Sequence, residues 1–445
     1  METTSFFPGM AFFEVDQVRN SGAAAAPEAP RLRRPNRDQS LLQTCWLNDV
    51  LPSDHQARTI WAVVERLDLS AFYEPLKARG SEPGRSATDP KLLTALWLYA
   101  TIEGIGSGRE IVRLCECHDA FRWLCGGVAV NYHTLNDFRV GHEQALDDLF
   151  TQVLAVLMHK QVVTVKRVAQ DGMKVRASAG KTSFRREASL RRRLEEAKAQ
   201  VEAVKQLADD ASLSGQQRAA RERAGKEREK RIAAALAELP KVREAKEPLK
   251  TKKPHAKVSE PRVSMTDADA RIMKMPDQGF RPAYNMQLAA DTQSRAIVGV
   301  DVTNARSDHR ESEPMRQQVE QRTRAKVEEH LVDGGYVQLE AIERAEASGT
   351  KMYAPPPNSR GQQKAFAPKR NDGPGVAAWR QRMGEADAQP IYSQRAATVE
   401  TINADLHLFR GLSRFVVRGL HKVRCQVLWS ALAYNVMHFA AVLIT

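Results

Sequence analysis

Apolar positions along the chain change their period several times, and each change predicts a different element. From about residue 38 to 160 they recur at three- and four-residue spacing, the mark of helices with one buried face. The run Gln56–Leu67 follows Leu51-Pro-Ser-Asp54, which offers a cap, and Leu92–Ile102 follows Thr88-Asp-Pro90, with proline suited to the first helical position. Gly104–Gly108 turns the chain into Arg109–Cys117. Ala120–Leu124 then precedes a break at Gly126-Gly127. A single helix is predicted over Thr134–His159, capped by Thr134, with Phe138, Leu146, Leu149, Phe150 and Val153 on its apolar face.

The period then switches. Val163, Thr164, Val165 and Val168 form a β-rich run ending at Asp171-Gly172. Across 181–257, Leu190, Leu194, Val201, Val204 and Leu207 keep helical spacing among many charges. Ser212–Gln217 reads as a turn and Arg218–Leu239 as a second helix, so a helical hairpin is inserted after the strand. Strands resume at Asn285–Ala290 and Ala296–Thr303 around a turn at 291–294. A helix over Ser312–His330, a strand at Leu331–Asp333, a helix at Gln338–Ser348 and a strand at Lys351–Ala354 follow. Pro355–Gly375 reads as loop, and the chain is helical from Gln394 onward with breaks near Gly411 and Gly419. Consecutive strands followed by alternating strands and helices predict an α/β domain, a mixed sheet flanked by helices.

Charge changes the picture more than composition does. The 445 residues are 42% hydrophobic, enough for a real core, and carry a net charge of +13, which points first to nucleic acid and second to anionic membranes. Residues 181–257 hold 22 Lys+Arg against 12 Asp+Glu, a net of +10, so the hairpin supplies most of the excess. Residues 1–37 read as a flexible basic arm that includes Arg31-Leu-Arg-Arg-Pro-Asn-Arg37. The N-terminus lacks the pattern of a secretory signal. The apolar tail Val427–Thr445 is interrupted by Ser430, Asn435 and His438, so a buried terminal helix is expected and no membrane partner. Five cysteines, an odd number, argue for a reducing compartment, and Cys115-Glu-Cys-His118 fits no standard zinc spacing.

Three blocks carry the candidate chemistry: Val163–Asp171, Leu331-Val-Asp-Gly-Gly-Tyr336, and Tyr392-Ser-Gln-Arg-Ala-Ala-Thr-Val-Glu400. Each sets a carboxylate on or beside a predicted element. Hard divalent cations take oxygen ligands, and Mg²⁺ is held by a few carboxylates plus phosphate and water. Converging acids can hold a metal pair and cut a phosphodiester. An aspartate before glycine also ends ordinary strands, and Asp291, Asp301 and Asp308 compete in the same region. Glu400 and His407 fall within about 20° of each other on a helix. The helical region 38–160, with its tight glycine turns, suits a DNA-binding unit in which Arg109, Arg113 and Arg139 are candidate phosphate contacts.

Together these blocks resemble the DDE transposases of bacterial insertion sequences. Asp171-Gly172, Asp333-Gly-Gly-Tyr336, and Tyr392-x-x-Arg395 with Glu400 carry the likeness. Ser53-Asp-His55, Asp89-Pro-Lys-Leu-Leu93, Gly104-Ile-Gly-Ser107, Thr134-Leu-Asn-Asp-Phe-Arg139, Ala283-Tyr-Asn-Met-Gln287 and Arg418-Gly-Leu-His-Lys422 add to it. The resemblance implies an RNase H-like catalytic core over 161–180 and 281–445, interrupted by the 181–257 hairpin and a connecting segment at 258–280. It also implies a helical DNA-binding domain over 38–160. Asp171, Asp333 and Glu400 would be the catalytic metal ligands for Mg²⁺, with Mn²⁺ as a substitute. Arg395, His407, Tyr392, Arg109, Arg139 and Lys422 would meet DNA. The family usually has lysine where this chain has His407, which leaves a noncatalytic DNA-binding protein or a decayed transposase as the alternative. The implied partners are double-stranded DNA, the element's terminal inverted repeats, target DNA and at least one further copy of the chain. The implied location is the bacterial cytoplasm, at the nucleoid.

Overall fold

In a computed structural model, residues 44–77, 86–206, 214–246, 260–357 and 365–445 are described. The predicted arm at 1–37 lies outside them, as do Leu207 of the first hairpin helix and Ser212 and Leu213 of the turn.

The helical region is built from α1 (Gln56–Arg66), α2 (Ser70–Tyr73), α3 (Pro90–Ile102), α4 (Gly108–Cys117), α5 (Asp119–Cys125), α6 (Tyr132–Gly141) and α7 (Glu143–His159). Asp89 caps α3 by accepting the Lys91 N–H at 2.9 Å, with Pro90 in the first turn as predicted. The cap of α1 is His55, whose Nδ1 accepts the Ala57 N–H, and not Asp54. Gly126 and Gly127 take positive φ (56° and 82°) and end α5. The single helix expected over Thr134–His159 is two. Asn131, not Thr134, caps α6, and His142 leaves helical geometry (φ −133°, ψ 49°) before α7 begins.

Strand β1 spans Arg167–Arg176. It starts later than expected because Val165 takes a positive φ of 48° and bends the chain. It also runs through Asp171 instead of stopping there, since β5 (Phe280–Asp291) is long enough to pair antiparallel with Val168–Arg176. Strand β6 (Ile297–Thr303) pairs antiparallel with β5. Strands β7 (Glu329–Leu331) and β8 (Lys351–Tyr353) extend the other side in parallel. The sheet order β6–β5–β1–β7–β8, three antiparallel strands continued by two parallel ones, is the mixed RNase H-like sheet that was expected. Strand β4 (Arg271–Lys274) pairs with the start of β5, so the stretch 258–280 does more than connect.

The hairpin consists of α8 (Glu187–Gln206) and α9 (Gly215–Glu244). A small ribbon of β2 (Phe184–Arg185) and β3 (Val263–Ser264) closes its base. The hairpin has its own core of Leu190, Ala197, Ile232, Ala235, Leu239, Val242 and Val263. The helices meet at Gly225, where a Cβ would stand 2.8 Å from Val201 Cγ2. Its many i,i+3 and i,i+4 charge pairs face solvent, where water and salt screen them, so they add little to stability.

Helix α10 (Ser312–Thr323) packs on β6 and ends well before His330, which belongs to β7. Helix α11 (Leu339–Ala347) is the crossover between β7 and β8. Of the loop expected over 355–375, residues 358–364 lie outside the described ones, and at Pro374 it gives way to α12 (Pro374–Gly384), followed by α13 (Ala388–Arg395), a π-helical turn at Ala396–Glu400, and α14 (Thr401–Leu408). Helix α15 (Leu420–Leu443) is long and apolar enough to cross a membrane, but 67% of its apolar window is buried inside the protein. It packs against α1, α3, α6, α7 and β6, joining the helical region to the sheet.

Candidate active site

Parallel pairing of β1 with β7 sets Ala169 opposite Leu331. Asp171 lies two residues beyond Ala169 on β1 and Asp333 two residues beyond the end of β7, near enough for the Asp333 charge to act on the Asp171 carboxyl. Asp333 is turned by its own cap: its Oδ1 accepts the Gly335 N–H at 2.7 Å. The π-helical turn packs on β1 and β5 and presents Glu400 at its end, with Thr398 and Val399 buried beneath.

Arg395 ties two of these acids together. Its Nη2 donates to Glu400 Oε1 at 3.2 Å, and its Nη1 stands 3.6 Å from Asp171 Oδ1. Asn403, on the first turn of α14, donates its Nδ2–H to Asp171 Oδ2 at 3.2 Å. Burial pushes the Asp171 carboxyl up to about 6. Arg395 and the Gly172 backbone oppose the shift, and the charges of Asp333 and Glu400 add to it. Arg395 feels the reverse balance. Burial works against its charge, yet Asp171, Tyr392 and Asp333 hold its pKa above the ordinary arginine value. The Tyr392 ring lies 6.0 Å from the guanidinium. All-oxygen carboxylate donors around a surplus of negative charge suit a hard divalent cation.

Residues 46–140 match a family model described as "Transposase domain (DUF772)", and residues 262–436 match one described as "Transposase DDE domain". The two together cover more than half of the chain. The chain belongs to the insertion-sequence DDE transposases. No curated protein and no solved structure matches it. The DDE match includes Asp333 and Glu400, whereas Asp171 lies outside it, on β1 and linked to Glu400 through Arg395. Membership implies a DNA-binding nuclease or transferase of a kind that generally uses divalent metal ions.

A second group of side chains lies beside the transposase's acids; sequence reading missed Lys174 altogether and took Asp308 for a competing acid. Asp308 accepts from Lys174 Nζ at 3.1 Å, Asn285 Nδ2 at 2.5 Å and Gln287 Nε2 at 2.8 Å. Tyr336 is buried and donates its hydroxyl to Gln287 Oε1 at 2.6 Å. Gly172 sits against this group. A Cβ there would meet Asp308 Oδ1 at 2.6 Å, Gln287 Nε2 at 2.7 Å and the Tyr336 hydroxyl at 3.0 Å. Asn285 and Gln287 belong to the Ala283–Gln287 motif, so their signal was present without its role. Asn403 had a signal too, since it stands one helical turn beyond Glu400. The other competing acids are engaged elsewhere: Asp291 accepts from Ser294, and Asp301 accepts from Arg424.

The residues expected to meet DNA are placed differently from one another. His407 and Lys422 are exposed. Arg109 is exposed and stacks 4.7 Å over Tyr132. Arg139 departs from expectation. It is 7% exposed, donates to the Gly106 carbonyl at 2.6 Å and lies 4.5 Å over the Trp97 ring. Burial lowers its pKa to about 10, and its position is that of a packing residue inside the helical region. Arg410, three residues beyond His407, is paired with Asp405 at 3.0 Å. Glu143, His421 and Cys425 also cluster. Both His421 ring nitrogens have partners there, Glu143 and the Val140 carbonyl, so the cluster reads as a clamp between α7 and α15.

Proposed function

We propose that this transposase cleaves DNA strands at the ends of its insertion sequence and joins them to target DNA, using two Mg²⁺ ions held by Asp171, Asp333 and Glu400. Mn²⁺ substitutes for Mg²⁺. The observation that carries the reading is the convergence of three acids: Asp171 and Glu400 share the Arg395 guanidinium, and the charges of Asp333 and Glu400 both act on the buried Asp171 carboxyl. Bound divalent ions would activate water or a DNA 3′-hydroxyl and stabilise the leaving 3′-oxygen. The protein's part is positioning. Asn403 holds one oxygen of Asp171, the Gly335 N–H holds one of Asp333, and the pairing of β1 with β7 brings the chain to Asp333 two residues past the end of β7.

Tyr392 and Arg395 lie at the rim of the acids, where a scissile phosphate would sit. His407, one face of the helix beyond Glu400, Lys422 and Arg109 would meet the DNA backbone, and binding would weaken as salt rises. The helical domain at 38–160 would supply base contacts to the terminal inverted repeats. Two or more protomers would hold paired ends. The test is cleavage of DNA carrying an element end, with Mg²⁺, by wild type and by Asp171→Asn, Asp333→Asn and Glu400→Gln. Each variant is expected to lose cleavage by at least a thousandfold while still binding the end, and retained cleavage in any of them refutes its assignment.

A further inference from the structure

We propose that Arg395 is a built-in counter-ion that competes with divalent cations for Asp171 and Glu400, and that ion binding releases its guanidinium toward DNA. This rests on the metal-site reading above and adds a role for a residue within it. Among the described residues, Arg395 is the one cationic side chain paired with either acid. Its own position is only half satisfied. The side chain is 13% exposed, and its Nε and Nη1 are buried with no hydrogen-bond partner. Charge, not a complete set of hydrogen bonds, holds it there.

The guanidinium and an ion compete for these carboxylates. A divalent cation binds carboxylate oxygen at about 2.1 Å, while the guanidinium is already 3.2 Å from Glu400 and 3.6 Å from Asp171. An ion on the same oxygens would stand within a few ångströms of the guanidinium and repel it. Arg395 also sits where it can leave, at the C-terminal end of α13, just before the π-helical turn and beside the Tyr392 ring. A planar fork released there is suited to a phosphate. Without metal, Arg395 therefore offsets part of the acids' charge, and its guanidinium is released as ions and DNA arrive together.

The consequence has opposite signs for the two ligands. Removing the guanidinium should tighten ion binding to the DNA-free protein and weaken DNA binding. Mn²⁺ binding to the full-length protein without DNA, followed by calorimetry and by the electron paramagnetic resonance of free Mn²⁺, tests it. Arg395→Gln is expected to bind Mn²⁺ at least fivefold more tightly than wild type, with Arg395→Lys between them. Element-end DNA in Ca²⁺ buffer should bind Arg395→Gln more weakly. Equal or weaker Mn²⁺ binding by Arg395→Gln, with Asp171→Asn having lost the site, overturns the counter-ion role alone. If Arg395→Gln does not fold, Arg395→Lys decides, and an affinity no tighter than wild type overturns the role. Mn²⁺ affinity left unchanged by Asp171→Asn overturns the metal site and this proposal with it.

Discussion

Replacing Asp171 by asparagine should abolish cleavage yet make the metal-free protein more stable. The Asp171 carboxyl is raised from an ordinary 3.8 to about 6, chiefly by burial, with Asp333 and Glu400 adding to the shift. A raised carboxylate costs stability wherever the unfolded chain is ionised and the folded chain resists ionisation. The cost is absent well below pH 4, grows as pH rises through the window from 3.8 to about 6, and is complete above it. A shift of roughly two units corresponds to about 3 kcal/mol at pH 8, and roughly half of that has developed by pH 5. Asparagine escapes this cost while keeping an oxygen for the Asn403 N–H. It also leaves Arg395 with Glu400 alone, so the realised gain should be about 1–3 kcal/mol. Urea unfolding of both proteins in chelator, at pH 5 and pH 8, measures it. Saturating Mg²⁺ should then stabilise wild type, by about 2.7 kcal/mol at a hundred times Kd, and leave the variant unmoved. A metal-free variant less stable than wild type at pH 8, or a gap that does not widen from pH 5 to pH 8, refutes the reasoning.

Two further substitutions separate packing from contact with DNA or metal. Arg139→Met should cost about 1–3 kcal/mol in urea unfolding, because the part-buried Gly106 carbonyl loses its donor. It should leave the salt dependence of DNA binding unchanged, whereas loss of a phosphate contact would lower the slope by about 0.9. Gly172→Ala should lower Mg²⁺-dependent cleavage by roughly a hundredfold at a cost of about 1–3 kcal/mol in stability, since the new methyl would displace the Asp308–Gln287–Tyr336 ring behind Asp171. Wild-type cleavage by that variant would show the ring to be irrelevant to the acids.

The flanked mixed sheet was legible from period alone, because β5 and β6 are consecutive in sequence and β7 and β8 alternate with helices. Features decided by distant partners were not. Asp171 looked like a strand end because glycine follows it, but β5, more than a hundred residues away, pairs past it. Arg139 looked like a surface arginine because helical spacing does not say which side meets Trp97 of α3. Helix α12 was hidden by Pro374-Gly375, a loop signal that here places proline in the first turn. The separation of α6 from α7 turned on Gly141-His142, where no proline marks the stop. At the candidate site, the pieces were visible and the supporting ring was not. Lys174, Asp308 and Gln287 are ordinary residues until β1, β5 and the loop after β6 bring them together.

The link between Arg395 and Glu400 shows why spacing alone could mislead. On a regular helix, residues five apart point about 140° away from each other. An arginine and a glutamate so placed would not share a face. Yet the two side chains meet at 3.2 Å, because Ala396–Glu400 forms a π-helical turn, in which i and i+5 come one above the other. The widened turn also leaves Thr398 and Val399 facing the sheet, so the helix keeps its packing while Glu400 turns to the acids. Beyond it the regular helix resumes, which keeps Asn403 one turn from Glu400 and in reach of Asp171. One extra residue in the turn therefore aligns a cation and a carboxylate without shifting the helix that follows. Shortening the turn by one residue would recover a regular helix, but it would rotate either Arg395 or the segment from Glu400 to His407 by about 100° relative to the sheet.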